Sequence, residues 1–351
     1  MSRLSVVTVT HDHREAVSEA LPALATQLHD GDELIVIDND SSDGTPDAVR
    51  ERAPEAIVIE AGANFGFAAG CNRGASVASG ELLCFLNPDA VPAPGFREAI
   101  ERPFTDGRGW AAWQGLVTAQ EGTVVNTRGG VVHFTGIAWA GGAGEPVAVE
   151  GSAGSRAERG SAREPGFVSG ACLAIPRATF MGVGGFAEGY FLYHEDVDLS
   201  LRLRLAGQLL GVEPAARVEH AYEFAKGPAK WRRLEGNRWA TLIRTYPPAL
   251  LALLAPALVA TELALLPVAL AGGWLGQKLL AWGDTLRALG RLLRERRQIQ
   301  AGRAIGAAEF ARTLTADLAS PYLGRAGRSR ALRGALQAYW SVVLKLLGSP
   351  G

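Results

Sequence analysis

The sequence predicts an α/β protein with a mostly parallel, mixed sheet flanked by helices, followed by a helical C-terminal region. Short apolar, β-branched runs alternate with segments of helical periodicity through the first 90 residues, which is typical of βαβ units. Several of these runs end in polar clusters, and open α/β sheets bind ligands at the carboxyl ends of their strands. The C-terminal part is rich in Leu, Ala and Arg, which favour helices.

Length and composition limit the possible functions. A chain of 351 residues is long enough for two or three domains, and we expect domains at 1–245 and 246–351. The net charge of −1 gives no electrostatic basis for binding nucleic acid. Three dispersed cysteines predict neither a disulfide framework nor a zinc site. The chain enters its first strand without a signal-like segment, so we expect the first domain in the cytoplasm.

The first strands and helices follow from local patterns. Residues 4–10 are apolar and β-branched and predict a strand, and residues 15–28 have apolar side chains at helical spacing. A second strand is predicted at 33–37 and a third at 57–59, with a helix between them that begins at Pro46. This order of elements predicts parallel strands joined by right-handed crossovers.

Polar clusters follow these three strands. The first strand is followed by His11, Asp12 and His13, and the second by the acidic run 38–44. The two histidines have no third ligand nearby in the sequence, so the indication of a metal is weak. After the third strand, glycines in 64–74 allow a close approach of backbone to ligand, and the helix that follows favours anions at its start.

Residues 82–89 predict a buried strand that ends in a carboxylate. Pro88 cannot donate to a sheet ladder, so the strand stops there and Asp89 lies at its carboxyl end. A carboxylate at that point can hold a divalent cation, which in turn can hold a diphosphate. The alternative is an Asp that only turns the chain, since Asn-Pro-Asp is common in turns.

The middle of the chain is less regular. Short pieces at 110–117, 123–126 and 131–134 predict a small, partly antiparallel sheet. The Gly-, Ala- and Ser-rich segment 141–166 is expected to be a mobile loop of the kind that covers a site. A further strand is predicted at 167–175.

A second acidic cluster lies in residues 190–207. Five apolar residues, 197 to 205, alternate with polar ones, which favours a strand. The Leu- and Arg-rich composition and Gly207 as a cap favour a helix from Glu195, and we predict the helix. A short strand at 208–212 and a lone histidine, His220, follow.

Five motifs in this order resemble those of the inverting glycosyltransferases of family 2, which have the nucleotide-sugar-binding GT-A fold. They are Thr8 to Asp12, Val36 to Gly44, Asn64 to Asn72, Leu86 to Asp89, and Gly184 to Phe186 with Glu195 to Leu199. The resemblance covers residues 4–245. Within the family, the chain is most similar to the rhamnosyltransferase-like branch that builds bacterial cell-envelope polysaccharides.

The resemblance implies a role for each matching residue. The nucleotide-binding residues would be Thr10, Asp12, Asp38, Asp40, Asn64, Gly70 and Asn72. Asp89 would bind Mg²⁺ or Mn²⁺, with Asn87 where relatives have the first Asp of Asp-x-Asp. His220 lies where many relatives have a histidine near the metal, although a purely structural histidine is the alternative.

The general base would be Asp196, supported by Glu195 and Asp198. The alternative for Asp196 is a helix cap or a partner for Arg202 or Arg204. Inverting transfer needs a base for the acceptor hydroxyl and a cation for the leaving diphosphate, and these acids fit the two tasks.

The implied reaction moves a sugar, with rhamnose preferred, from a nucleotide-diphosphate donor to a glycan or lipid-linked glycan. A non-catalytic nucleotide-sugar-binding scaffold protein is the main alternative, since Asn87 weakens the metal motif. A sugar nucleotidyltransferase is less consistent with the sequence, because the loop after the first strand lacks the Gly-rich basic segment of that chemistry.

The composition of the C-terminal region predicts association with a membrane. Residues 249–275 are apolar and long enough to cross a bilayer, but Glu262 lies near their middle and an arginine-rich segment follows. We therefore predict an interfacial or re-entrant helical pair on the cytoplasmic face of the cell membrane, with Trp274 and Trp282 at the headgroups. A soluble helical subdomain is the alternative. A last helix is predicted at 331–347.

Overall fold

The structure, a computed structural model, describes residues 3–148, 164–220, 227–318 and 329–348. The chain divides into two compact units. One comprises residues 1–130, 140–200 and 209–222, and the other 131–139, 201–208 and 223–351. Most of the expected mobile loop, residues 149–163, lies outside the described residues, and the domain boundary at residue 245 stays a prediction.

Eleven strands occur in the described residues. They are β1 (Leu4–Thr10), β2 (Glu33–Asp38), β3 (Ile57–Glu60), β4 (Leu82–Leu86), β5 (Ala90–Pro92), β6 (Trp110–Ala119), β7 (Val124–Thr127), β8 (Gly130–Val132), β9 (Ala138–Ala140), β10 (Cys172–Pro176) and β11 (Leu209–His220). Strands β8 and β9 pair with each other, and the other nine form one sheet.

Eleven α-helices occur in the same described residues. They are α1 (Arg14–Ala25), α2 (Thr45–Arg52), α3 (Gly66–Val77), α4 (Phe96–Thr105), α5 (Arg177–Gly182), α6 (Glu195–Leu205), α7 (Ala229–Thr245), α8 (Pro248–Ala271), α9 (Leu275–Ala301), α10 (Ala307–Arg312) and α11 (Arg330–Leu346).

The main sheet has the order β3-β2-β1-β4-β10-β6-β11-β5, with β7 added to β6. The first four strands are parallel, and β10 is antiparallel to both β4 and β6. Strand β11 is parallel to β6 and antiparallel to β5. The prediction of a mixed, mostly parallel α/β sheet is therefore confirmed, and the carboxyl ends of β1, β2 and β4 share one edge.

The prediction of a separate small sheet is wrong for residues 110–117. They belong to β6, a ten-residue strand in the middle of the main sheet, paired with β10 and β11. Residues 111–118 of β6 are all buried, which is typical of a strand covered on both faces. Its partners β10 and β11 come from residues 172–220 and are distant in sequence. Strand β7 also pairs with β6, so the piece predicted at 123–126 belongs to the main sheet as well.

The prediction of a helix at Glu195 is confirmed by α6, and Gly207, at φ +75°, lies just after its end. The alternation of leucines favoured a strand incorrectly, because α6 is buried on almost every side. Leu199 and Leu201 are buried, and so are the polar residues that alternate with them, Asp198, Ser200 and Arg202. For a helix enclosed in this way, apolar alternation carries no information about which side faces the core.

Helix α3 packs closely on β1 because two of its glycines face valines. A Cβ built on Gly70 would lie 2.6 Å from Val9, and one on Gly74 would lie 2.3 Å from Val7. Both distances are far below van der Waals contact, so a side chain at either position would push the helix off the sheet.

We expect Gly74→Ala to destabilise the first unit by about 1–3 kcal/mol, although Ala is the better helix former. Thermal unfolding followed by circular dichroism measures the loss. Val7→Ala removes the methyl groups that the new Cβ would meet. The double variant should therefore be more stable than the sum of the two single effects, and simple additivity would contradict the close-packing explanation.

Candidate functional site

The carboxyl ends of β1 and β2 are joined by the Asp38 carboxylate. Its Oδ1 accepts hydrogen bonds from the hydroxyls of Thr10 at 2.8 Å and Ser41 at 2.6 Å, and its Oδ2 accepts from the Ser41 amide at 2.9 Å. Asp38 is only 2% exposed. The structure therefore brings Thr10 and Asp38 together at the edge where a nucleotide is expected, with Asp38 fixed by three donors.

The loops after these strands interlock. Asp12 Oδ1 accepts from the Ser42 amide at 2.7 Å, and the Asp12 amide donates to the Ser41 hydroxyl at 2.9 Å. Asp12 and Asp40 both have positive φ, at 56° and 63°. This left-handed conformation is rare outside glycine but is tolerated by Asp, and Asp40 is exposed. The serines that join the loops were not assigned a role from the sequence.

The remaining residues that were predicted to bind the nucleotide make contacts within the protein. Asn64 Oδ1 accepts from the Gly66 amide at 2.9 Å, which turns the chain into α3. Gly70 faces Val9. The Asn72 side chain both donates to and accepts from the backbone of Phe186, at 2.9 Å each. Nucleotide contacts by Asn64, Gly70 and Asn72 stay predictions.

The candidate metal residues come together although 131 positions separate Asp89 from His220. His220 Nε2 lies 3.0 Å from Asp89 Oδ1 and 3.3 Å from Asn87 Nδ2. His220 ends β11, which pairs with β5 immediately after Asp89, and its carbonyl accepts from Asn126 at 3.1 Å. Strand pairing and Asn126 thus fix the imidazole beside the carboxylate.

Asp89 has the charge state that a cation requires. Burial would raise its pKa, but the hydrogen bond from His220 and the nearby charges of His220 and His13 lower the pKa below its usual value. A carboxylate and an imidazole are suitable ligands for Mn²⁺, and a carboxylate for Mg²⁺. The residues present therefore fit such an ion. No cluster of three or more His, Cys, Asp or Glu occurs among the residues that the structure describes.

The candidate base lies in the first turn of α6. Asp196 Oδ2 accepts from the Gly170 amide at 3.1 Å, and Oδ1 accepts from the Val197 amide at 2.8 Å. Burial raises the pKa of Asp196 to about 6, although these amide hydrogen bonds oppose the shift. A carboxylate with that pKa is mostly ionised at neutral pH and still basic enough to take a proton.

A three-residue segment connects the candidate base to the candidate metal residues. Gly170 donates to Asp196, and the next residue, Ala171, accepts from the Asn87 amide at 3.1 Å. Ser169 in turn donates from its amide to Gln114 Oε1 at 2.8 Å. Backbone groups make most of these contacts, so no side-chain pattern in residues 169–171 could have indicated their role.

The approach to α6 is conformationally strained. Phe191, Tyr193 and His194 all have φ between 61° and 72°, in the left-handed region that bulky residues avoid. The Phe191 carbonyl lies so close to Gly66 that a Cβ there would be 2.4 Å away. Strain of this kind is concentrated at functional sites, and here it directly precedes the acidic cluster.

Comparisons with known proteins identify the family of the chain. The family model described as glycosyl transferase family 2 matches residues 5–144. An N-acetylglucosaminyl-diphospho-decaprenol L-rhamnosyltransferase of Mycobacterium tuberculosis is 32% identical over 251 residues, covering 64% of this chain and 79% of that protein. The rhamnosyltransferase WbbL of Escherichia coli is 44% identical over 52 residues, 15% of this chain and 20% of that protein.

Two solved structures share the fold. The mannosyltransferase PcManGT of Pyrobaculum calidifontis, in complex with GDP-Man and Mn²⁺, has a TM-score of 0.51 and 21% identity, covering 86% of this chain and 84% of that one. GalNAc-T7 with UDP, GalNAc and Mn²⁺ has a TM-score of 0.54 and 15% identity, covering 72% of this chain and 50% of that one. The expected GT-A fold is confirmed.

A relative with 32% identity, aligned over most of its own length, shows the family that the ordered motifs predicted. The chain belongs to glycosyltransferase family 2 and is a rhamnosyltransferase-like glycosyltransferase.

Proposed function

We propose that the enzyme transfers rhamnose, with inversion, from a nucleoside-diphosphate donor to a lipid-linked N-acetylglucosamine in cell-envelope polysaccharide synthesis. The mycobacterial relative, whose name specifies that acceptor and sugar, supports the proposal. The observation that carries the mechanism is the Asp196 carboxylate, which two backbone amides orient and whose pKa is about 6. Such a group is suited to deprotonate an acceptor hydroxyl.

The three acids at the start of α6 have different environments. Asp198 is fully buried and accepts from the Tyr190 hydroxyl at 3.1 Å. Glu195 is 5% exposed, and burial together with the charges of Asp196 and Asp198 raises its pKa well above the usual value. Asp196 is the most accessible of the three. This difference favours Asp196 as the group that meets the acceptor.

In the proposed step, one bond to the anomeric carbon forms and one breaks. Asp196 takes the proton of the acceptor hydroxyl while that oxygen attacks the anomeric carbon of the donor. The bond from the anomeric carbon to the diphosphate oxygen breaks, and the nucleoside diphosphate leaves with the electron pair. Attack from the side opposite the leaving group inverts the anomeric centre, and no covalent enzyme intermediate is required.

Asp89 and His220 would hold a divalent cation, which stabilises charge on a departing diphosphate when bound. At the nucleotide end, the fixed Asp38 carboxylate presents acceptor oxygens to a base, next to Thr10. The loops with Asp12 and Asp40 would frame the same pocket.

The first test is transfer itself. Purified enzyme should consume deoxythymidine-diphosphate rhamnose in preference to other nucleotide sugars and extend a polyprenyl-diphosphate-linked N-acetylglucosamine. Because the base must be ionised, kcat/KM should fall about tenfold per pH unit below the Asp196 pKa of about 6 and level off above it.

Asp196→Asn should lower kcat by about 10²–10⁴-fold without unfolding the protein, and it should still bind the donor. Asp47→Asn, an exposed carboxylate in the first turn of α2, is the matched control and should retain full activity. Full transfer by Asp196→Asn would show that Asp196 is not the base. Preference for another nucleotide sugar in the transfer assay would show that rhamnose is not the sugar transferred.

Removal of the candidate metal ligand should weaken metal binding directly. His220→Ala should lower the affinity for Mn²⁺ in the presence of nucleoside diphosphate by about 10-fold or more, measured by electron paramagnetic resonance. His29→Ala is the matched control, because His29 also lies beside a carboxylate, Glu98, at 3.1 Å. Equal Mn²⁺ affinity in both variants would exclude His220 as a ligand.

Glu195 should keep its proton to a higher pH in the folded enzyme than in the unfolded chain, because burial and the charges of Asp196 and Asp198 raise its pKa. The folded state then holds a proton that the unfolded chain, with a pKa near 4.5, releases, so stability decreases as the pH rises above 4.5. Glu195→Gln removes this effect and should melt at a higher temperature than the wild type, with a difference that grows as the pH rises above 4.5.

The control for this prediction has the opposite sign. Burial raises the pKa of Glu33, but hydrogen bonds from Ser5, Ser79 and Gly80 outweigh it and leave the pKa lowered, so Glu33→Gln should melt at a lower temperature than the wild type at pH 7. A Glu195→Gln variant that loses stability as Glu33→Gln does would show that Glu195 is ionised in the folded state.

A further inference from the structure

Helix α8 has one entirely apolar, exposed face. It is the one helix among the described residues that is long and apolar enough to cross a membrane. Its exposed residues recur at helical spacing from 252 to 271 and contain no polar side chain: Ala252, Ala255, Pro256, Val259, Ala260, Leu263, Ala264, Pro267, Val268, Leu270 and Ala271. This face is about 29 Å long. A contiguous exposed surface with no polar side chain is typical of an interaction site.

The charged residue of α8 lies on its other side. Glu262 accepts from Trp282 Nε1 at 2.8 Å and pairs with Lys278 at 2.9 Å and with Arg238. Glu235 also pairs with Lys278, at 2.5 Å, and with Arg238, at 3.1 Å. Two carboxylates and two cations thus neutralise one another between α7, α8 and α9. Glu262 therefore leaves the exposed face of α8 purely apolar.

Helix α9, which follows α8 after residues 272–274, also exposes leucines and adds positive charge. Its exposed residues again recur at helical spacing, and they change from leucines at the start to leucines mixed with arginines: Leu279, Leu280, Leu286, Arg287, Leu289, Leu293, Arg294 and Arg297. Both acidic residues of α9 are paired with arginines, Asp284 with Arg232 at 2.6 Å and Glu295 with Arg244 at 2.8 Å.

The whole C-terminal region is also positively charged. Residues 246–351 contain 13 Lys and Arg against 5 Asp and Glu, a net charge of +8 in a chain whose total is −1. Exposed leucines next to exposed arginines are complementary to a lipid surface with anionic headgroups.

We propose that the exposed faces of α8 and α9 form a docking surface for a bilayer rich in anionic phospholipid, on which α8 lies parallel to the membrane. Leucines and valines of the surface enter the acyl boundary, and Arg287, Arg294 and Arg297 contact headgroup phosphates. This surface is additional to the catalytic site, and its occupant does not depend on which sugar the enzyme transfers.

The buried side of α8 argues that it lies on the bilayer and does not cross it. Leu250, Leu254 and Leu258 are buried in the second unit, and the Leu253 carbonyl accepts from the Tyr339 hydroxyl at 2.5 Å. Crossing would expose Glu262 to lipid and leave two buried cations, Arg238 and Lys278, with the single carboxylate of Glu235. Breaking buried pairs in this way is strongly unfavourable.

The two tryptophans do not serve as the expected headgroup anchors. Trp274 is 5% exposed and stacks on Trp231 with ring centroids 4.7 Å apart, and Trp282 donates to Glu262. Their indole groups are used inside the helical unit. The membrane contact must therefore be made by the leucines, valines and arginines of the exposed faces.

Vesicle flotation of the full chain tests the proposal. The protein should float with vesicles of equal parts phosphatidylglycerol and phosphatidylcholine, and much less with phosphatidylcholine alone. Val259→Glu should lower vesicle affinity by about 10-fold or more, because it places a carboxylate on the apolar face. Val77→Glu is the matched control, since Val77 is 50% exposed and Val259 59%, and it should bind vesicles as the wild type does.

Two further measurements separate the parts of the proposal. Arg294→Glu combined with Arg297→Glu should lower affinity for the anionic vesicles by about 10-fold or more, and molar salt should remove this difference. Alkaline carbonate should release the full chain from cell membranes. Flotation with neither vesicle, equal loss in Val259→Glu and Val77→Glu, or retention after carbonate would each overturn the proposal. The vesicles contain no glycolipid, so the result is independent of the proposed acceptor.

Discussion

The candidate site depends on the reversed direction of one strand. Strand β10 runs antiparallel to β4 and β6, so the residues just before it lie at the same sheet edge as the residues just after β4. There the Asn87 amide donates to Ala171, and Gly170 donates to Asp196. A parallel strand at this position would carry residues 170 and 171 to the opposite edge. The hydrogen bond that orients the candidate base Asp196, and the link to Asp89, follow from this single reversal.

Buried carboxylates are accommodated in two different ways in this protein. Burial and the charges of Asp196 and Asp198 raise the pKa of Glu195, which favours its neutral form and limits repulsion beside Asp196. Glu262 meets Arg238, Lys278 and Trp282 and is compensated by opposite charge and a hydrogen bond. The first arrangement preserves one usable negative charge at the site. The second removes charge from a helix surface, so the same residue type serves opposite purposes.

Local patterns predicted the parts of the fold that local chemistry determines. Strands β1, β2 and β4 and the polar residues after them were predictable, because apolar runs ending in Asp or Pro leave few alternatives. The central position of β6 was not predictable, since its partners in β11 lie up to 101 residues away. The sequence could not show that Gly70 faces Val9 or that Asn72 holds Phe186, because glycine and asparagine serve ligands and packing equally well.

Net charge describes this chain incompletely, because it averages regions of opposite sign. The total of −1 contains +8 in residues 246–351, which leaves −9 in residues 1–245. An anionic surface attracts the C-terminal region and repels the rest of the chain, so the average of the two says nothing about either. Total charge can therefore exclude a highly charged binding partner only for a chain whose charge is evenly distributed. Here the arginines of α9 lie next to exposed leucines, and their position matters more than their number.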